Sequence, residues 1–134
     1  MSKVIVFTNS SGGVSVCYST GEIPIEEVQA KNTPAGSIIV ENDALPNEHN
    51  EFFNAWELSG STVSVNMGKA KAITKTRLRM EREPLLAAQD VAFQRAMESN
   101  ADTTAIVAEK QRLRDITQLA DAADSLNALK ALHP

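Results

Sequence analysis

Apolar positions recur every second residue in the first half of this chain and every three to four residues in the second, a change of period that predicts two structural regimes. Val4 to Phe7 form a short apolar run, and Val14, Val16 and Tyr18 alternate with Ser15 and Cys17. Ser10, Ser11, Gly12 and Gly13 lie between them, so the two runs predict a β-hairpin closed by a glycine-rich turn. A short helix is expected over Ile23 to Lys31, where Pro24 fits the first turn and Glu26 and Glu27 suit the positive helix end. Pro34, Ala35 and Gly36 end it and open a third strand, Ser37 to Glu41. Asn47 is placed to cap another short helix carrying Phe52, Phe53 and Trp56 at helical spacing, a lid for the small sheet. Gly60 to Val65 alternates again as a fourth strand.

Asn66 can cap a helix beginning at Met67, and from there the helical pattern is sustained. Ala70, Ala72, Ile73, Thr76 and Met80 share one face, with Lys71, Lys75, Arg79 and Arg82 as a basic stripe on the opposite one. Beyond Pro84 the apolar set is Leu85, Leu86, Ala92, Phe93, Ala96 and Met97. On one straight helix, at about 100° per residue, its centre projects roughly 180° from the earlier face. A break or kink at Pro84 is expected, because the ring removes a hydrogen bond, crowds the preceding turn and costs about 3 kcal/mol. An uninterrupted helix would instead need a separate partner for each face, and hence association. Ser99 to Thr103 is a polar connection with Asp102 or Thr103 as the next cap, followed by a helix marked by Ile106, Leu113, Ile116 and Ala120. Asp124 or Ser125 caps a last short helix holding Leu126, Leu129 and Leu132. Ile73, Met80, Phe93, Leu113 and Ile116 are expected to be largely buried, since each large side chain left in water forfeits roughly 1.5–3 kcal/mol.

Charge sharpens the division. Residues 1–66 hold two basic and eight acidic side chains, net −6, whereas residues 67–83 hold six basic and two acidic, net +4. An acidic head beside a basic helix can pair within the molecule or between subunits. The 134 residues allow one domain or a small head with a helical tail, and 4% aromatics implies a mainly aliphatic core. Cys17 is the sole cysteine, compatible with a reducing compartment, and no basic start with a following apolar run or ~18-residue apolar stretch is present, so a soluble protein is expected.

The candidate chemistry is sparse. His49 and His133 are far from Cys17 and have no zinc-ligand spacing; Glu48, Glu51 and Asp43 around His49 read as a solvated helix start rather than a metal site. Gly12 and Gly13 follow a strand without a dinucleotide fingerprint or a phosphate-loop lysine. Ser10, Ser11, Ser59 and Ser61 have no nucleophile-elbow context. No catalytic, cofactor-binding or metal residue is therefore assigned. The candidate interaction residues are Lys71, Lys75, Arg79 and Arg82, whose clustering suits an anionic surface. The acidic total, with Glu81 and Glu83 in the same stretch, favours a solvated or protein-pairing face over nucleic acid.

The run from Lys69 to Met97, the segment Ala105–Thr117 and the closing Leu126–Pro134 resemble the C-terminal region of small proteins encoded in tailed-bacteriophage genomes. Pro34–Val40, Asp43–Pro46 and Phe52–Glu57 resemble their N-terminal half, so the likeness covers nearly the whole chain. A looser similarity to phage tail assembly chaperones follows the order Arg79 and Arg82, Leu85–Leu86, Asp90, then Gln111–Ile116. Between Asp90 and Lys110 the tryptophan-bearing connection of that group is missing. The resemblance implies a virion or tail protein with a structural or assembly role, without catalysis or cofactor, present in the host cytoplasm during assembly and then in the particle. Its implied partners are other phage structural proteins or further copies of itself, with no membrane.

The expected fold is α+β, with a small β-β-α-β head over residues 1–66 and a helical hairpin over residues 67–134. The expected role is a non-enzymatic structural or attachment protein of the tail or virion; the alternatives are a transient assembly chaperone for tail or fibre proteins and an intracellular regulator binding nucleic acid or a host factor.

Overall fold

In the computed structural model, which describes residues 2–134, strand β1 (Lys3–Thr8) lies between β2 (Val14–Tyr18) and β3 (Ile38–Glu41), antiparallel to both. A central strand buried on both faces can carry a continuous apolar run, and Val4, Ile5 and Val6 are fully buried. Alternation sends Val4 and Val6 to one face, where the register places Val16 and Ile38 beside Val6 and Val40 beside Val4. That face joins Val14, Leu45, Trp56 and Val63 in one apolar cluster. Ile5, with Cys17 and Ile39 opposite it, lies on the other face. Helix α1 (Ile25–Asn32) links β2 to β3, contacts β1 and β3, and buries Val28.

The β1–β2 turn depends on Asn9, one residue before the expected turn. Its Oδ1 accepts hydrogen bonds from the Ser11 amide (3.1 Å), the Ser11 hydroxyl (2.7 Å) and the Gly13 amide (3.1 Å). Gly12 has φ +85°, a conformation that a Cβ would strain.

Among the described residues the head has five strands where four were expected. Asn47–Ala55 is a 3-10 segment with non-helical backbone at His49 and Phe52, not an α-helix, and Asn47 makes no side-chain cap. Three residues per turn bring Phe52 and Ala55 inward together. Trp56 then begins β4 (Trp56–Ser59), which pairs antiparallel with β5 (Thr62–Val65). The aromatic spacing is thus produced by a 3-10 turn running into a strand. Trp56 is buried, its Nε1 donates to the His49 carbonyl at 3.4 Å, and its ring lies 4.9 Å from that of Phe53.

Asn66 caps helix α2 (Met67–Glu98), as expected, accepting from the Lys69 amide at 2.9 Å. Glu57 accepts from Asn66 Nδ2 (2.7 Å) and Lys69 Nζ (3.1 Å), and these two hydrogen bonds hold its carboxyl below the usual carboxylate range. The chain divides into two units between Ala70 and Lys71, four residues into α2.

Helix α2 runs for 32 residues with Pro84 inside it, so the break expected at Pro84 is absent. Pro84 is exposed, which leaves the Met80 carbonyl it deprives of a donor on the solvent side, where water can satisfy it. Asn100, at φ +56°, ends the helix in a Schellman motif: the Ala101 amide bonds the Ala96 carbonyl (2.8 Å) and the Asn100 amide the Met97 carbonyl (3.3 Å). Asn100→Gly should therefore raise stability by up to about 1 kcal/mol and Asn100→Val lower it, measured by urea unfolding. Asp102 Oδ1 then binds the Thr104 hydroxyl (2.7 Å) and amide (3.0 Å) at the start of α3 (Thr104–Ala122). Those bonds hold the Asp102 carboxyl below its ordinary range. Ser125 caps α4 (Leu126–Ala131) through the Ala128 amide.

Leu113, Ile116 and Ala120 of α3 and Leu129 of α4 are buried. On α2 the buried positions of this unit are Thr74, Leu78 and Ala96. Ile73 and Phe93 are half-buried, and Met80, expected inside, is 69% exposed. The architecture is α+β, with the strands in the first unit and a helical hairpin in the second.

Candidate interaction site

Between Lys71 and Arg82 the two faces of α2 keep the relation that periodicity predicts but exchange inside and outside, whereas beyond Pro84 the expected apolar set does turn inward, with Ala96 buried and Leu86, Ala92 and Phe93 half-buried. The basic stripe borders the buried line of Thr74 and Leu78, while Ala72, Thr76 and Met80 face solvent. Lys71 Nζ donates to the Asp121 carbonyl at 3.0 Å, and Lys75 forms an ion pair with the Asp121 carboxylate. Helix α3 has no basic residue in its last turn, so these lysines place positive charge at its negative C-terminal end. Arg82 Nη1 reaches the carbonyls of Leu113 (3.2 Å) and Arg114 (2.7 Å). Arg79 alone of the four is exposed, beside a shallow depression lined also by Arg82, Glu83 and Leu86.

Long basic side chains can lay their stems along apolar surface and send their heads to polar groups at its edge. Lys110 does the same from α3, pairing with Asp90 at 2.6 Å and lying 5.2 Å from the centroid of Phe93. On the other flank, Arg77 bridges Glu81 and the Leu129 carbonyl, the latter at 3.1 Å, and His133 reaches Glu81 at 3.3 Å. Desolvation pushes the Glu81 carboxyl up, yet hydrogen bonds from His133 and Arg77 outweigh it and leave it below its usual range. These contacts set an antiparallel α2–α3 pair with α4 returned onto α2. Arg82→Ala should cost about 1–2 kcal/mol through its lost charge-assisted hydrogen bonds, whereas Arg79→Ala should stay within about 0.5 kcal/mol, both read by urea unfolding.

Opposite this internal face, Met80, Pro84, Ala87 and Val91 are all exposed. Their spacing of four, three and four residues keeps them within about 60° of arc, and half-buried Ile73 continues the line toward the N-terminus. The line runs straight through Pro84, and its sequence signal is the i, i+4, i+7, i+11 spacing, which neither half of the helix carries alone.

The remaining candidates are not brought together. His49 is mostly enclosed, with Nε2 3.6 Å from Glu48 Oε1 and Nδ1 buried without a hydrogen-bond partner. Among the described residues no three His, Cys, Asp or Glu side chains are grouped to hold a metal ion. Cys17 is half-buried and unpaired. No helix among the described residues is long and apolar enough to cross a membrane. Comparison with family models, curated proteins and solved structures gives no match to this chain.

Proposed function

We propose that this protein is a non-enzymatic structural or attachment component of a tailed-bacteriophage particle, acting through protein–protein contacts. The observation that carries this reading is the exposed apolar line Met80–Pro84–Ala87–Val91 on an uninterrupted helix whose other face is already occupied. A contiguous apolar strip bordered by charged residues is the surface type that contacts between proteins use. The internal engagement of Lys71, Lys75 and Arg82 leaves Arg79 as the exposed member of the basic stripe, which favours protein contact over a phosphate-binding track. The phage setting comes from the sequence resemblance. In this reading the chain is made in the host cytoplasm and carried in the virion, at the tail.

Quantitative mass spectrometry of purified particles of the encoding phage tests the reading. A defined copy number in every particle is the expected result. Abundance in infected cells with absence from finished particles would overturn it in favour of an assembly chaperone. Tight nucleic-acid binding at physiological salt, lost on Arg79→Glu, would overturn it in favour of a regulator.

A further inference from the structure

We infer that the exposed line on α2 is a self-association seam that binds the same line of a second copy, with the two helices parallel. The inference rests on the attachment reading and names its first partner. Read as a heptad, Met80 and Ala87 occupy one core position and Pro84 and Val91 the other, so each apolar residue meets its own counterpart in a parallel pair; Arg77, one heptad before Pro84, is turned to Glu81 and the Leu129 carbonyl and ends the seam. The residues bordering the seam decide its direction. Asp90 lies on one side, with a side chain 64% exposed beside Lys110, and exposed Arg95 lies on the other. A parallel pair sets Asp90 of one copy against Arg95 of the other, twice by symmetry. An antiparallel pair in the register that matches Met80 with Val91 sets Glu83 against Asp90, a like-charge contact repeated twice. Charge complementarity therefore selects the parallel form, while the apolar residues supply the attraction.

The ring of Pro84 adds apolar surface between Met80 and Ala87 without disturbing the α3-facing side. Because Met80 and Val91 are exposed in the single chain, replacing them should leave the fold of one copy intact.

Sedimentation equilibrium of the full chain is expected to give twice the monomer mass at micromolar concentration, and Met80→Lys with Val91→Lys to give the monomer mass with an unchanged unfolding midpoint under dilute conditions. Orientation is read in a Cys17→Ser background under mild oxidation. Met80→Cys should cross-link to itself, because a parallel pair places the two sulfurs within disulfide reach. In the antiparallel pair residue 80 lies about 16 Å along the axis from its counterpart, so only a mixture of Met80→Cys and Val91→Cys chains would cross-link. A monomer at all accessible concentrations, or cross-linking confined to the mixture, overturns the proposal. A monomer that is still a fixed component of particles overturns the seam and leaves the attachment reading standing; a cross-linked parallel dimer absent from particles supports the seam and removes that reading.

Discussion

Trp56→Ala should destabilise the head by about 3–5 kcal/mol, the range for removing a large aromatic from a packed interior. Trp56 is 2% exposed and belongs to the cluster of Val4, Val6, Val14, Leu45 and Val63, which joins the three-stranded sheet to the β4–β5 hairpin. Removing it leaves a cavity between two small sheets, lined by the aliphatic side chains of the cluster. Small domains retain only a few kcal/mol of net stability, so much of the head should unfold at physiological temperature. Trp56→Phe should cost less, because the ring remains and the Nε1 hydrogen bond to His49 is weak at 3.4 Å. Amide hydrogen exchange resolves the effect by residue: protection should fall across Val4–Val6, where exchange reports the opening of the central strand. Retained protection there would remove Trp56 from the core.

Leu113→Ala should cost about 2–5 kcal/mol in the helical unit. Leu113 is 1% exposed, on the α3 face that also buries Ile116 and Ala120. Its carbonyl accepts from Arg82, so the truncation acts beside one of the contacts that sets the α2–α3 register. Met80→Ala is the contrasting substitution: the side chain is 69% exposed, and the expected change in the monomer is within about 0.5 kcal/mol. Thermal unfolding followed by far-ultraviolet circular dichroism compares the two directly. Equal effects would mean that the inward and outward faces of α2 have been exchanged.

That exchange of faces marks the boundary between what periodicity reveals and what packing decides. Local physics was sufficient for the β1–β2 hairpin, α1, β3, the Asn66 cap and the Ser125 cap, because each depends on residues close together in sequence: alternating side chains, a glycine turn, or an oxygen aimed at an amide two or three positions on. The α+β division follows from the same local signals, since the side-chain period itself changes from two to 3.6. Trp56 shows where they stop. Phe52, Phe53 and Trp56 have helix-like spacing, but a 3-10 turn entering a strand satisfies that spacing equally well, and what settles it is the packing of β4 against β1 and β2, which arrive from far along the chain.

The candidate site was legible as two opposed stripes on one helix and no further. Periodicity placed Ile73 and Met80 opposite Lys71, Lys75 and Arg82, and the structure keeps that relation. It could not say which stripe α3 would cover, because an apolar face can be stabilised by a second chain as well as by its own. Tertiary structure resolved this through Thr74 and Leu78, which lie between the basic side chains and the Arg77–Glu81 flank, and through Asp121 and the carbonyls of Leu113 and Arg114, which receive the basic heads. Pro84 followed the same logic: its ring removes a hydrogen bond wherever it stands, but whether that breaks the helix depends on whether the freed carbonyl faces water or a packed interior. The periods, the caps and the charge of each stripe are properties of neighbouring residues and can be read along the chain; which stripe lies inside cannot, because burial depends on the segments that arrive from elsewhere in the fold.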